Sequence, residues 1–369
     1  MLSTYPPTRC GLATFSAALS KGLTTNGADV SVVRVGDGPS IDDSCVIGEL
    51  TNGSAASVAE AADLLSKSDV AVIQHEYGIY GGPEGDEIVD LIGGLQVPSI
   101  VVAHTVLKHP TRRERSVLEA VMTLADQVVV MSEAARAQLN AGFDFDRRKV
   151  TTIPHGATVP AAGYTKRGGQ PTLLTWGLLG PGKGVERVID AMGSLHRLNS
   201  RPRYLVAGET HPQVLAADGD AYRERCIAQA QRIGVAAAVQ FDASFRAVPS
   251  LIELMSAAAV VVLPYDSTDQ ATSGVLVDTI ACGRPVVATA FPHAVELLST
   301  GAGIVVGHND PDALRSALHA ILTEPRLAGA MAAEARRLAP SMSWPIVARS
   351  YQAVAQRILM KRPERAWVR

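Results

Sequence analysis

The chain has 369 residues, with 36 acidic against 34 basic side chains and a formal net charge of -2. Hydrophobic residues at 47% and charged residues at 19% describe a folded globular protein and exclude a disordered one, while the near-neutral balance excludes a broadly basic nucleic-acid binder. A single core stops growing at roughly 250–300 residues, so two domains are expected.

The start, Met1-Leu2-Ser3-Thr4, leaves room for only a short first strand, or the true start lies upstream. No basic segment followed by an apolar run stands there, so no signal peptide is expected. Tyr5-Pro6-Pro7-Thr8-Arg9-Cys10-Gly11 then reads as a tight strand-to-helix turn with Gly11 opening the helix. Strands are predicted at Val30–Val35, Val70–Gln74, Ser99–Ala103, Val128–Met131 and Val150–Ile153. A second set is predicted at Thr172–Trp176, Tyr204–Ala207, Val239–Phe241, Val260–Leu263, Val286–Thr289 and Ile304–Val306. Most are apolar at consecutive positions, as in a parallel sheet covered on both faces.

Helical patterns separate the strands. Val185, Val188, Ile189, Met192 and Leu195 form one stripe at helical spacing. Alternation of strand and helix implies right-handed βαβ units and doubly wound α/β sheets. Gly, Pro and polar residues gather at 159–171, which places the domain seam there. The expected domains are 1–164, 165–343 and a C-terminal helix, 344–369, crossing back to the first domain. Ligands are expected in a cleft at the carboxyl ends of both strand sets.

Four segments carry chemistry. His104 ends a strand, and Gln74-His75-Glu76-Tyr77 follows another with groups suited to sugar hydroxyls. His75-Glu76 lacks the second histidine of a metalloprotease. Gly177 to Gly184 reads G-x-x-x-x-G-K-G, a phosphate cradle with Lys183 as a point charge. Gly184 stands where a nucleotide P-loop needs Ser or Thr for magnesium, which excludes that reading. Ser273-Gly274 opens a helix, so the N–H groups of Gly274 and Val275 form a second anion site, with Asp278 one turn further in.

Lys108, His109, Arg112, Arg113 and Arg115 precede Val117, Leu118, Val121 and Leu124. That helix is either a solvated start with a core-facing apolar side, a peripheral membrane contact, or a dock for a phosphate-bearing acceptor. The cysteines, Cys10, Cys45, Cys226 and Cys282, are too scattered for zinc or a disulfide scaffold, which fits a cytoplasmic protein. No apolar stretch reaches the roughly 18 residues of a spanning helix.

Leu263-Pro264, Gln270, Asp278 and Ala281-Cys282-Gly283-Arg284-Pro285-Val286-Val287-Ala288 follow one another in a recognisable order. This resembles the GT-B glycosyltransferases, in particular the retaining group 1, family 4 members, whose pattern is Pro-Ser, E-x7-E, then A-x-A-x-G-x-P-V-V-A. The resemblance extends to Gly177–Gly184, to Ala294–Leu298 and Gly301–Val306, and covers nearly the whole chain. It departs from the family at Gln270 and Asp278, which replace the two glutamates, and at Leu178, which replaces an arginine.

The resemblance implies two Rossmann-like domains facing across a cleft. It implies hexose transfer from a nucleotide-diphosphate sugar, such as UDP-glucose or GDP-mannose, to a hydroxyl acceptor, with retention and without a metal or other cofactor. Gly11, Gly177, Lys183, Ser273, Gly274, Val275 and Asp278 would bind the donor, and His104, Lys183 and Gln270 would carry catalysis. His75, Glu76 and Tyr77 would face the acceptor, whether lipid, polysaccharide or metabolite. The alternatives are a non-catalytic sugar-nucleotide binder, an oxidoreductase (which lacks G-x-G-x-x-G here) and a sugar-nucleotide epimerase.

Overall fold

The computed structural model describes residues 1–36, 43–160 and 169–361. It divides into one unit of Met1–Gly156 with Trp344–Arg369 and another of Ala157–Ser343. The boundary expected at 164/165 falls outside the described residues; the chain passes between units at Gly156–Ala157 instead.

The first unit holds β1 (Leu2–Ser3), β2 (Val32–Val35), β3 (Val46–Leu50), β4 (Ala71–His75), β5 (Ser99–Ala103), β6 (Gln127–Val130) and β7 (Val150–Thr152). They form a sheet in the order β3-β2-β1-β4-β5-β6-β7, and every pairing is parallel. β3 escapes the sequence pattern because it is an edge strand, alternately half-exposed and exposed except at Leu50. Helix Gly11–Thr25 packs against helix Trp344–Lys361. Gly22 permits that approach, since a Cβ there would lie 2.8 Å from the Trp344 carbonyl oxygen. Asn26 Nδ2 donates to the Pro345 carbonyl at 2.8 Å and holds the pair in register.

Helix Arg112–Leu124 starts with a capping box between Thr111 and Glu114. Its Val117, Leu118 and Val121 are buried and only Leu124 is exposed, so the apolar side is core. The membrane contact considered for this helix loses those three residues. Among the described residues, no helix is long and apolar enough to cross a membrane.

The second unit holds β8 (Thr172–Trp176), β9 (Arg203–Ala207), β10 (Val239–Asp242), β11 (Val260–Leu263), β12 (Val286–Thr289) and β13 (Gly303–Val306). Their order is β10-β9-β8-β11-β12-β13, again all parallel. Both faces are covered, which explains the uninterrupted apolar runs. Leu173, Val260, Val262 and Val287 pack on one side with Val185, Val188, Ile189, Met192 and Leu195 of helix Val185–Leu195. Leu174, Val261, Leu263 and Val286 pack on the other with Leu276, Val277 and Ile280 of helix Gly274–Ala281. Each such side chain contributes about 1.5–3 kcal/mol by leaving water.

In each sheet the strand order reverses beside one strand, β1 and β8. Ligands of doubly wound sheets bind beyond the carboxyl ends at such points. There the first unit carries Tyr5–Gly11 and His75–Gly82, and the second carries Gly177–Gly184 and Pro264–Ser273.

Candidate functional site

In the second unit, Gly177 to Gly184 leave β8 and enter helix Val185–Leu195. Gly177, Gly182 and Gly184 have φ of 121°, 88° and 64°, the left-handed region where glycine alone is unstrained. A Cβ on Gly177 would lie 3.8 Å from Val275 Cγ2, so the loop touches the start of helix Gly274–Ala281. The Val185 N–H is already taken by the Tyr222 hydroxyl at 3.1 Å. The loop's free charge is therefore Lys183. Its ammonium stands 4.4 Å from the Tyr265 ring centroid and forms no ion pair among the described residues. Burial lowers its pKa below the usual lysine value. Leu178 is half-buried and brings no second cation.

Ser273 caps helix Gly274–Ala281 by accepting from the Leu276 N–H at 3.3 Å. Its own N–H donates to His293 Nδ1 at 2.9 Å, and the His293 N–H donates to the Gln270 carbonyl at 3.3 Å. His293 thus clamps the loop from both ends, and sequence reasoning missed it. Among the described residues the Gly274 and Val275 N–H groups have no backbone partner, as an anion site requires. The Gln270 side chain donates Nε2 to the Thr272 carbonyl at 3.1 Å, leaving Oε1 as an acceptor. Asp278 lies half-buried with no ion pair among the described residues, and burial raises its pKa to about 7.

In the first unit, Gly11 begins its helix, and Cys10 Sγ accepts from the Ala13 N–H at 3.3 Å. His104 follows β5, and its Nε2 lies 2.7 Å from Gln74 Oε1. Phe15 packs edge-on against His104 at 4.7 Å, His155 at 5.0 Å and Trp344 at 5.0 Å between centroids. Burial is the main cause that lowers the pKa of His104 to about 3, with His155 and His75 adding to it. Burial likewise lowers His75 and His155 to about 4. All three imidazoles are neutral near pH 7.

The predicted acceptor group is uneven. His75 is 1% exposed and packs edge-on to Tyr77 at 5.1 Å, so it offers almost no surface. Glu76 and Tyr77 are half-buried. Glu76 accepts from the Thr105 hydroxyl at 2.6 Å and the Tyr77 N–H at 3.2 Å, while burial raises its pKa. In the first unit His155 and Trp344 meet Phe15 beside His104, and in the second unit Tyr265 meets Lys183, only in three dimensions. Trp344 and Tyr265 lie within two residues of a helix or strand end, and His155 three residues beyond β7.

Asp-x-Asp spacings occur at Asp144/Asp146, Asp218/Asp220 and Asp310/Asp312. Asp146 binds Arg148, Asp220 pairs with Arg223, and Asp310 caps a helix. Among the described residues no cluster of three His, Cys, Asp or Glu is arranged to hold a metal.

Residues 161–338 match the family model described as glycosyl transferases group 1. Residues 10–159 match that of glycosyltransferase family 4. The D-inositol 3-phosphate glycosyltransferase of Segniliparus rotundus is 27% identical over 296 residues, covering 73% of this chain and 62% of that protein. The enzyme of that name from Thermobifida fusca is 27% identical over 241 residues, covering 61% and 54%. The chain thus spans less than two thirds of the length of these relatives. Among solved structures, sucrose-phosphate synthase from Thermosynechococcus elongatus superposes with a TM-score of 0.78 at 19% identity, covering 98% of this chain and 99% of that one. Anabaena Alr3699/HepE in complex with UDP and glucose gives 0.74 at 17% identity, covering 96% and 98%. At these identities the structural likeness establishes the GT-B fold.

Proposed function

The chain belongs to the group 1 glycosyltransferases, and from that premise we propose that it moves a hexose from a nucleotide-diphosphate sugar to a hydroxyl acceptor, retaining the anomeric configuration without a metal. The observation that carries this reading is Lys183. A desolvated ammonium without a carboxylate partner among the described residues, on a glycine loop at the carboxyl end of β8, suits a polyanion such as the donor diphosphate.

In this reading the anomeric carbon's bond to the β-phosphate oxygen breaks and a bond to the acceptor oxygen forms. The acceptor proton passes to the departing phosphate, so no side-chain base is required. Lys183 and the Gly274 and Val275 N–H groups stabilise charge as it grows on the diphosphate. Asp278 accepts from the ribose hydroxyls, and Gln270 contacts hydroxyls of the transferred sugar through Oε1. Gly11, Gly177 and Ser273 shape the backbone around the donor. His104 presents a neutral imidazole to the sugar, which suits a hydroxyl better than an imidazolium beside a developing oxocarbenium.

The donor is UDP-glucose or GDP-mannose as leading choices. Glu76 and Tyr77 face the acceptor, with His75 behind them. The names of the curated relatives add a phosphorylated polyol to the acceptor classes of lipid, polysaccharide and metabolite. Exposed Lys108, His109 and Arg112 suit its phosphate. A cytoplasmic location, with or without peripheral membrane contact, goes with this reading.

Gln270 and Leu178 favour one rival, a protein that binds sugar nucleotides and does not turn them over. A thermal-shift panel of UDP, GDP, ADP and their sugars separates the cases. A ligand at 100 times its Kd stabilises by about 2.7 kcal/mol. Binding followed by release of free nucleoside diphosphate from labelled donor supports transfer; binding without release supports the rival; no binding refutes both.

A further inference from the structure

The residue beneath Lys183 is not the small hydroxyl residue of the family pattern. After β11 the chain reads Pro264-Tyr265-Asp266, and Tyr265 is 2% exposed. Its ring is held from below by stacking on Phe291, with centroids 5.5 Å apart and planes 23° apart. Its carbonyl accepts from the Thr289 hydroxyl at 2.7 Å. The flanking residues latch onto the glycine loop itself. The Asp266 N–H donates to the Gly182 carbonyl at 2.9 Å, the Asp266 carboxylate pairs with Arg187, and Arg187 Nη1 donates to the Pro264 carbonyl at 3.3 Å. Backbone and ring of residue 265 are therefore fixed relative to Lys183.

We propose that Tyr265 is a positioning residue for Lys183: its ring face holds the ammonium in place while leaving its charge and N–H donors for the donor diphosphate. This rests on the transferase reading above. The choice of an aromatic ring over a carboxylate is what makes the site work. A carboxylate would neutralise Lys183 and occupy its donors, and the diphosphate would have to displace it. A ring face attracts the cation through its quadrupole and accepts no strong hydrogen bond. Asp266, the residue next to Tyr265, is drawn away by Arg187. The Tyr265 hydroxyl is buried without a hydrogen-bond partner among the described residues, so the hydroxyl does not explain why an aromatic residue stands here.

The test compares Tyr265→Phe and Tyr265→Leu, alone and with Lys183→Ala, by UDP and GDP affinity and by kcat and KM for donor cleavage. Unfolding midpoints confirm that each variant is folded. Tyr265→Leu should lower kcat/KM about tenfold. Tyr265→Phe should stay within about twofold of the wild type, and Tyr265→Leu should add no further loss once Lys183 is alanine. The ring current of residue 265 should shift the Lys183 ε-protons upfield in the wild type and Tyr265→Phe, and not in Tyr265→Leu. Should Tyr265→Leu fail to fold, a fluorinated phenylalanine at that position keeps the shape and weakens the ring's negative face, and should reproduce the loss.

Equal losses with and without Lys183, or a Tyr265→Phe variant as impaired as Tyr265→Leu, would overturn the proposal while leaving the transferase reading intact. A wild-type protein that binds no nucleoside diphosphate would remove the transferase reading and this proposal with it.

Discussion

Gly184 stands against Pro264: a Cβ built on Gly184 would lie 1.8 Å from the Pro264 carbonyl oxygen. The glycine loop and the loop after β11 are thus in backbone contact at the point where Lys183 is presented. Gly184 also has φ of 64°, so any side chain there meets both strain and collision.

Gly184→Ser is therefore expected to destabilise the second unit by about 3 kcal/mol or more. The same substitution completes the P-loop pattern in sequence. It should nonetheless confer no magnesium-dependent nucleotide hydrolysis, because the backbone cannot accept the side chain. Chemical denaturation and a phosphate-release assay check both halves. A stable variant that hydrolyses ATP would show that the loop is a P-loop after all.

Lys183→Met keeps the length of the side chain and removes its charge. Charge grows on the diphosphate only as the sugar leaves, so kcat should fall about 100-fold while donor Kd rises less than tenfold. The unfolding midpoint should hold or rise, because a buried cation without an ion-pair partner is replaced by an apolar chain. Weakened affinity with kcat unchanged would make Lys183 a contributor to uniform binding only.

Asp278 carries a pH prediction. Its folded pKa of about 7 lies above the unfolded value of 3.8. The unfolded chain therefore releases this proton at lower pH than the folded one. The contribution of Asp278 to stability is greatest below pH 4, falls as pH rises through the interval from 4 to 7, and is level above it, at a total cost of about 4 kcal/mol. Asp278→Asn should stabilise the unliganded protein near pH 8 and flatten this slope. Ribose hydroxyls donate to the ionised form, so donor binding should release a proton near pH 7 and weaken as pH falls below it. Calorimetry in buffers of different ionisation enthalpy reads that proton. Donor affinity constant from pH 6 to 8 would count against the ribose assignment.

The parallel sheets were legible because both faces are buried: Val260–Leu263 and Val286–Thr289 read as strands without any partner information. The Lys183 loop and the Ser273 cap were legible because glycine spacing and an N-cap are local chemistry. β3 was not, since its half-exposed, glycine-containing pattern carries no periodic signal. Nor were Tyr265 under Lys183 or His293 across the Gln270 loop, because those contacts join separate strand ends. The neighbours of His75 make it a candidate to face the acceptor, yet as the last residue of β4 it is buried.

Three histidines of the first unit give the opposite slope in acid. His104, His75 and His155 have folded pKa values of about 3, 4 and 4, below the ordinary 6.5, because burial disfavours the imidazolium. Their neutral forms are favoured by folding, so this contribution is complete above pH 6.5. Below it the unfolded chain gains protons that the folded one refuses, and stability falls by about 1.4 kcal/mol per pH unit for each imidazole, down to roughly pH 4. Over that interval Asp278 acts in the opposite sense, and Asp278→Asn isolates the histidine effect. His155→Gln in that background should flatten the acid slope by one proton, measured as urea unfolding at pH 5 and pH 7. Transfer activity should show no ionisation of His104 between pH 5 and 8, yet His104→Ala should impair turnover, since the ring's place between Gln74 and Phe15 is lost. An acid limb that disappears in His104→Gln would mean that His104 titrates within that range and is exposed during the reaction.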